Sequence, residues 1–212
     1  MPNWIGAVSR VAKCGLLQGK PSSLVYVNTM KCNARCKMCI QWRERQDAET
    51  SRRKELTLEQ VDRFTRSMGP LLMVALSGGE TFLRPDIGET MQVIGRNCRP
   101  LLLTVPTNGS SPERTASAVH DFCTSHPGTM LRLNVSVDAP GKAHDAIRGI
   151  QGLYEQCRET IARLKEVQKR CPNLTVNICT VLSYYTRENA HENISHILEE
   201  LCPDHQIGRA HV

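Results

Sequence analysis

The sequence predicts an α/β fold built on a parallel sheet. Two observations carry this. Apolar runs rich in β-branched residues alternate with longer segments of helical period, and each run is followed by one such segment. The chain has 212 residues, 40% of them hydrophobic and 23% charged, which is enough to bury a sizeable core.

In order, the first strand covers residues 24–29 and runs into a cysteine-rich stretch. Residues 43–55 are polar and charged and read as an exposed loop or short helix. Thr57 opens a helix as its N-cap, with Gln60 as capping-box partner, and the helix runs to Met68 before Gly69-Pro70 stops it. Strand two covers 72–77 and its helix 86–97; strand three covers 101–107 and its helix 112–125. Strand four covers 130–137 and its helix 152–170; strand five covers 174–182 and its helix 187–201, halted near Pro203. Five strand–helix units in succession imply right-handed crossovers, in a doubly wound sheet or a (β/α) barrel. In both, functional groups collect at the C-terminal ends of the strands.

Composition excludes several classes. No apolar run approaches the ~18–20 residues of a membrane span, so no transmembrane segment is expected. The first acidic residue is Glu44; the seven basic residues before it leave 20 basic against 21 acidic in the remainder. The net charge of +6 therefore belongs to the N-terminal fifth. With aromatics at only 4%, this argues against a nucleic-acid binder, whose basic stripe would span the fold. The N-terminus lacks a signal-peptide layout, which predicts a cytoplasmic, reducing compartment. There, clustered cysteines point to metal rather than to disulfides.

Ten cysteines are present, and three of them form Cys32-Asn-Ala-Arg-Cys36-Lys-Met-Cys39 just after strand one. Chance would supply this C-x3-C-x2-C spacing roughly 0.02 times in such a chain. Structural zinc and most iron–sulfur carriers take four protein ligands, and the next cysteine is the distant Cys98. Three thiolates leave one metal position open, which points to chemistry. A structural metal or a redox pair are the alternatives at this stage.

Strand four alternates: Leu131, Leu133, Val135 and Val137 face one way, and Arg132, Asn134, Ser136 and Asp138 the other. Central parallel strands are usually apolar on both faces. A barrel lumen holding a polar cofactor explains the second face; a hydrogen-bonded buried network is the alternative. Strand one (Tyr26, Asn28) and strand five (Asn177, Cys179) extend the same pattern. Strand two ends in Ser77-Gly78-Gly79-Glu80, which alone reads as a tight turn, and strand three ends in Thr107-Asn108-Gly109.

The cysteine triplet, the Gly-Gly-Glu and the stretch from Ser136 to Gly149 resemble the radical S-adenosylmethionine (SAM) enzymes, in particular the branch that often carries a C-terminal SPASM domain. The resemblance implies a partial (β/α)6 TIM-type barrel with about five of six βα units present. It implies a [4Fe-4S] cluster on Cys32, Cys36 and Cys39, whose open iron chelates SAM. Met38 replaces the aromatic residue usual beside the adenine, which a polarisable thioether can substitute. Gly78, Gly79 and Glu80 would meet the SAM ammonium, and Ser136 and Arg148 its carboxylate. Reductive cleavage of SAM would give a 5′-deoxyadenosyl radical that removes a substrate hydrogen atom, so no protein acid or base is required; the adjacent His144-Asp145 reads as a helix cap or a solvated pair.

The expected partners are a reductant such as flavodoxin or ferredoxin, docked on the basic N-terminal segment, and a peptide, protein or small-molecule substrate. A molybdopterin-type nucleotide cyclase within the family and a non-catalytic metal or electron-transfer module are the alternatives. Residues 1–21 read as a basic extension and 22–206 as the core domain, incomplete at its C-terminus. Residues 207–212 match the in-frame translation of a sequencing adapter and read as a non-native tail. Strand six would then be missing and strand five would carry an uncovered edge. Cys98, Cys123, Cys157 and Cys171 read as ordinary buried thiols.

Overall fold

A computed structural model describes residues 21–41 and 55–210. Six parallel strands alternate with helices: β1 (Ser23–Thr29), α1 (Leu58–Met68), β2 (Met73–Gly78), α2 (Ile87–Cys98), β3 (Leu102–Thr107), α3 (Pro112–Ser125), β4 (Met130–Ser136), α4 (Gly141–Arg148), α5 (Leu153–Gln168), β5 (Leu174–Leu182), α6 (Ala190–Leu201) and β6 (His205–Ala210). The expected loop or short helix at 43–55 lies almost wholly outside the described residues, as does all but the last residue of the basic extension.

The strand order is β1-β2-β3-β4-β5-β6. A doubly wound sheet reverses its order partway; a sheet in chain order is wound in one direction, as in a barrel. The outward side chains explain the winding. Val74 and Leu76, Leu103 and Val105, Leu131, Leu133 and Val135, and Val176 and Ile178 form one core with Val61, Met91, Ile94, Phe122, Leu153, Leu164 and Ile197 of the helices. The opposite face is open: Val25 is 65% and Val27 49% exposed.

Local signals set most boundaries. Thr57 makes the full capping box, its hydroxyl accepting from Gln60 N and its own N–H donating to the Gln60 side chain. Pro112 begins α3, where its missing N–H costs nothing.

Three expectations are corrected. The sheet has six strands rather than five, because residues 205–210 pair with β5 in parallel from Asn177↔His205 to Leu182↔Ala210. β5 therefore has a neighbour on each side, and its edge is covered. Tyr26 and Asn28 do not face the lumen. They are buried on the outward side, where Arg84 donates to the Tyr26 hydroxyl at 3.3 Å and to the main-chain carbonyl of Asn28 at 2.9 Å. Finally, two helices rather than one connect strands four and five, because α4 precedes α5; its eight residues are too few for the hydrophobic period to show.

Candidate functional site

The C-terminal ends of the strands surround a cavity of ≈ 460 Å³ on the open face of the sheet. Cys32, Cys36, Met38, Cys39, Gly78, Gly79, Glu80, Ser136 and Arg148 all line it. The fold thus brings all nine of the site residues expected from sequence to one place. The cavity floor is formed by Ala75, Thr104, Asn134 and Cys179. Asn134 donates to Thr104 Oγ1 at 2.9 Å, so part of the polar lumen face is a hydrogen-bonded network. A larger opening, ≈ 910 Å³ between α1, α2 and α3, lies on the helical side and holds none of these residues.

The three cysteines are half-buried on the loop after β1. Among the described residues, no three His, Cys, Asp or Glu side chains converge on a single metal-binding point. The three thiols share the cavity.

That loop is held from three sides. The end of β2 holds it first: Gly79 N donates to Thr29 O at 2.7 Å and Glu80 N to Lys31 O at 2.8 Å. The approach is so close that a Cβ on Gly78 would lie 2.0 Å from Thr29 O, and one on Gly79 2.1 Å from Lys31 O. Gly78 also has a φ of 120°, a conformation that side chains disfavour. The glycine pair is thus required by main chain passing main chain.

Glu80 is buried and bonded to its own fold. Its carboxylate accepts from Phe82 N at 3.1 Å, Thr107 Oγ1 at 2.8 Å and Asn108 N at 2.5 Å, tying the end of β2 to the end of β3. Burial pushes its pKa up, and those three donors offset only part of the rise. Asn108 in turn donates to Asn33 in the cysteine loop at 2.8 Å, the second attachment. The Thr-Asn-Gly at the end of β3 is therefore a brace for both.

The third side is α4. Its last carbonyls, on Ile147 and Arg148, accept from Lys37 N at 3.0 Å and Arg35 N at 2.8 Å. Gly149 ends the helix at φ 71°, and an added Cβ there would crowd Arg35 Cβ at 3.0 Å. The Arg148 side chain reaches the loop as well: Nε donates to Asp138 Oδ2 at 2.6 Å, and Nη1 points at Cys36 Sγ at 3.7 Å. Burial pulls its pKa down, but Asp138 and Cys36 outweigh that and raise it, so the guanidinium stays charged. Burial raises the Cys36 thiol, and Arg148 opposes the rise.

His144 neither caps a helix nor meets solvent. It is wholly buried, its Nδ1 accepting from Asp138 N at 3.1 Å and its Nε2 3.8 Å from Cys157 Sγ. Burial, with Arg148 nearby, drives its pKa down to about 4, so the ring is neutral. Asp145 does cap: it accepts from Gly152 N at 2.7 Å and Tyr154 N at 2.9 Å at the start of α5. Cys98, Cys123, Cys157 and Cys171 are buried, as expected, and burial pushes Cys157 up to about 12, an unreactive thiol.

Sequence reasoning missed Asp138 as the anchor of Arg148. Its signal was present, since Asp138 ends the polar face of strand four. Its partner lies ten residues on, a distance that no single-element period relates.

Comparison with known proteins places this geometry. Residues 26–197 match the family model described as "Radical SAM superfamily". A pre-heme d1 synthase of Dinoroseobacter shibae is 27% identical over 204 residues, 92% of this chain and 44% of that protein. The structure of Streptococcus suis SuiB bound to precursor peptide SuiA superposes with a TM-score of 0.70 at 18% identity, covering 98% of this chain and 44% of that one. anSMEcpe with bound AdoMet superposes with a TM-score of 0.69 at 14% identity, covering 90% and 51%. The chain spans about half the length of these relatives. Among the described residues, no helix is long and apolar enough to cross a membrane.

Proposed function

The chain belongs to the radical SAM superfamily, and on that premise we propose that Cys32, Cys36 and Cys39 hold the [4Fe-4S] cluster and that the adjoining cavity receives SAM. Radical SAM enzymes use both groups, and together these supply a 5′-deoxyadenosyl radical that abstracts a hydrogen atom from the substrate. The observation that carries the reading is the shared cavity: three thiols from one eight-residue stretch and the Gly-Gly-Glu turn all line it. The donor set fits. It is all sulfur, as a cluster prefers, and three ligands leave one position for SAM.

The chain's own residues position and shield. The ends of β2 and β3 and the carbonyls of α4 brace the cysteine loop. Met38 packs against the adenine; Gly78, Gly79 and Glu80 bind the ammonium end; Ser136 and Arg148 bind the carboxylate. Glu80 already accepts three hydrogen bonds, so its share is a single remaining lone-pair direction.

The substrate reading is a peptide or protein side chain, supported by the stretch from Ser136 to Gly149. A second reading, a small-molecule precursor of heme d1, is supported by the 27% identity to the pre-heme d1 synthase across 92% of this chain. Lys31, Arg35 and Lys37 are exposed on the cysteine loop and suit an acidic reductant such as flavodoxin or ferredoxin. Reduction by flavodoxin should slow steeply with added salt; a salt-independent rate sinks that docking.

The deciding test is anaerobic reconstitution with iron and sulfide, then reduction with SAM present. Formation of 5′-deoxyadenosine is expected, with iron loading lost in the C32S/C36S/C39S variant. A bound cluster that leaves SAM intact points instead to an electron-transfer module. Iron retained by the triple variant refutes the ligand assignment.

A further inference from the structure

Arg148 stands apart among the residues around the cavity, because the structure has fixed two of its three nitrogens. Its Nε is held by Asp138 Oδ2 at 2.6 Å, and the other carboxylate oxygen, Oδ1, accepts from Val181 N of β5 at 3.0 Å. Asp138 is wholly buried and the Arg148 side chain is 10% exposed. The fork is planar, so anchoring Nε aims the remaining N–H groups. Nη1 is thereby directed at Cys36 Sγ, 3.7 Å away. The backbone beside it is also fixed, since the carbonyls of Ile147 and Arg148 hold Lys37 and Arg35 on either side of Cys36. The guanidinium is thus aimed at the Cys36 side chain, and the main chain on either side of Cys36 is held beside it.

We propose that Arg148, anchored by Asp138, is a positioning residue that donates a charge-assisted hydrogen bond to the Cys36 sulfur and thereby raises the reduction potential of the cluster. The inference rests on the reading that Cys36 is a cluster ligand. A positive donor on a ligand sulfur withdraws electron density and favours the form of the cluster that carries the extra electron. The Arg148 side chain is 10% exposed and Asp138 wholly buried, so the donor side of the interaction is shielded from solvent. This role is separate from binding the SAM carboxylate, for which Nη2 remains, and it operates before SAM arrives.

Removing Arg148 alone would strand the buried Asp138 carboxylate, which is strongly destabilising. The test therefore pairs Arg148→Gln with Asp138→Asn, so that both charges leave together, and adds Arg148→Lys, whose ammonium pairs with Asp138 but has no second nitrogen to offer the sulfur. Wild type and both variants are reconstituted anaerobically, their iron and sulfide are measured, and their midpoint potentials are read by EPR-monitored titration without SAM. Equal iron content is expected, with reduction about tenfold less favourable in both variants, about 59 mV lower for one electron. A fully loaded variant with the wild-type potential overturns the proposal; if the double variant takes up no iron, the Arg148→Lys potential decides alone. Wild type that binds no cluster overturns the function reading instead, so the two failures are distinguishable.

Discussion

Replacing Gly79 by alanine tests the central claim, that the cysteine loop is seated by main-chain contact with the end of β2. An added Cβ would stand 2.1 Å from Lys31 O and 2.7 Å from Lys31 C. Both are backbone atoms, so no side chain can rotate away and the loop itself must move. Two hydrogen bonds cross this contact, Gly79 N to Thr29 O and Glu80 N to Lys31 O. Losing them at ~0.5–1.5 kcal/mol each, with a forced backbone shift of ~1–3 kcal/mol, totals about 4 kcal/mol. At about 2–4 °C per kcal/mol for a chain of this size, thermal unfolding should fall by roughly 8–16 °C. Gly128→Ala is the control, because nothing lies within 4 Å of its added Cβ. The assay is thermal unfolding by circular dichroism, followed by iron content after reconstitution. A Gly79→Ala variant that melts with wild type and loads full iron would show that this contact does not seat the loop.

Other outcomes follow from the same geometry. Asp145→Ala removes two hydrogen bonds from the start of α5 and should cost about 1–2 kcal/mol in a denaturant titration; an unchanged midpoint would count against the cap. The unfolded chain releases the Glu80 proton near the ordinary carboxylate value, whereas the buried group holds it to higher pH. Its contribution to stability is therefore full below that value and is lost as pH rises through the raised one, so the wild-type-minus-Glu80→Gln stability difference should decline over that window. His144 runs the other way: its contribution is present above 6.5 and is lost as pH falls towards about 4. The stability difference between wild type and His144→Gln should shrink over that interval, and a flat difference would mean that the ring is solvated. Cys98→Ala, which alters a buried thiol outside the cavity, should leave iron content unchanged after reconstitution.

Much of the fold and site was legible because it is encoded locally. The alternation of β4, the capping box at Thr57 and the spacing of Cys32, Cys36 and Cys39 each need only a few consecutive residues to be read. The resemblance to the radical SAM enzymes is what grouped the triplet, Gly-Gly-Glu, Ser136 and Arg148 from sequence, and these residues line one cavity.

What the tertiary structure decided is everything that depends on a partner far along the chain. The outward Tyr26 hydroxyl meets Arg84, 58 residues away, whose guanidinium also holds the main-chain carbonyl of Asn28. The sixth strand, six residues long, is defined by the hydrogen bonds that β5 offers it rather than by its own composition. The main chain of the cysteine loop that passes against Gly78 and Gly79 is set by the packed chain. So is the Asp138 carboxylate that turns the Arg148 fork towards Cys36. Periodicity and spacing report which residues share an element or an end of the sheet. Hydrogen bonds between separate elements determine which way each group points, and only the packed chain contains them.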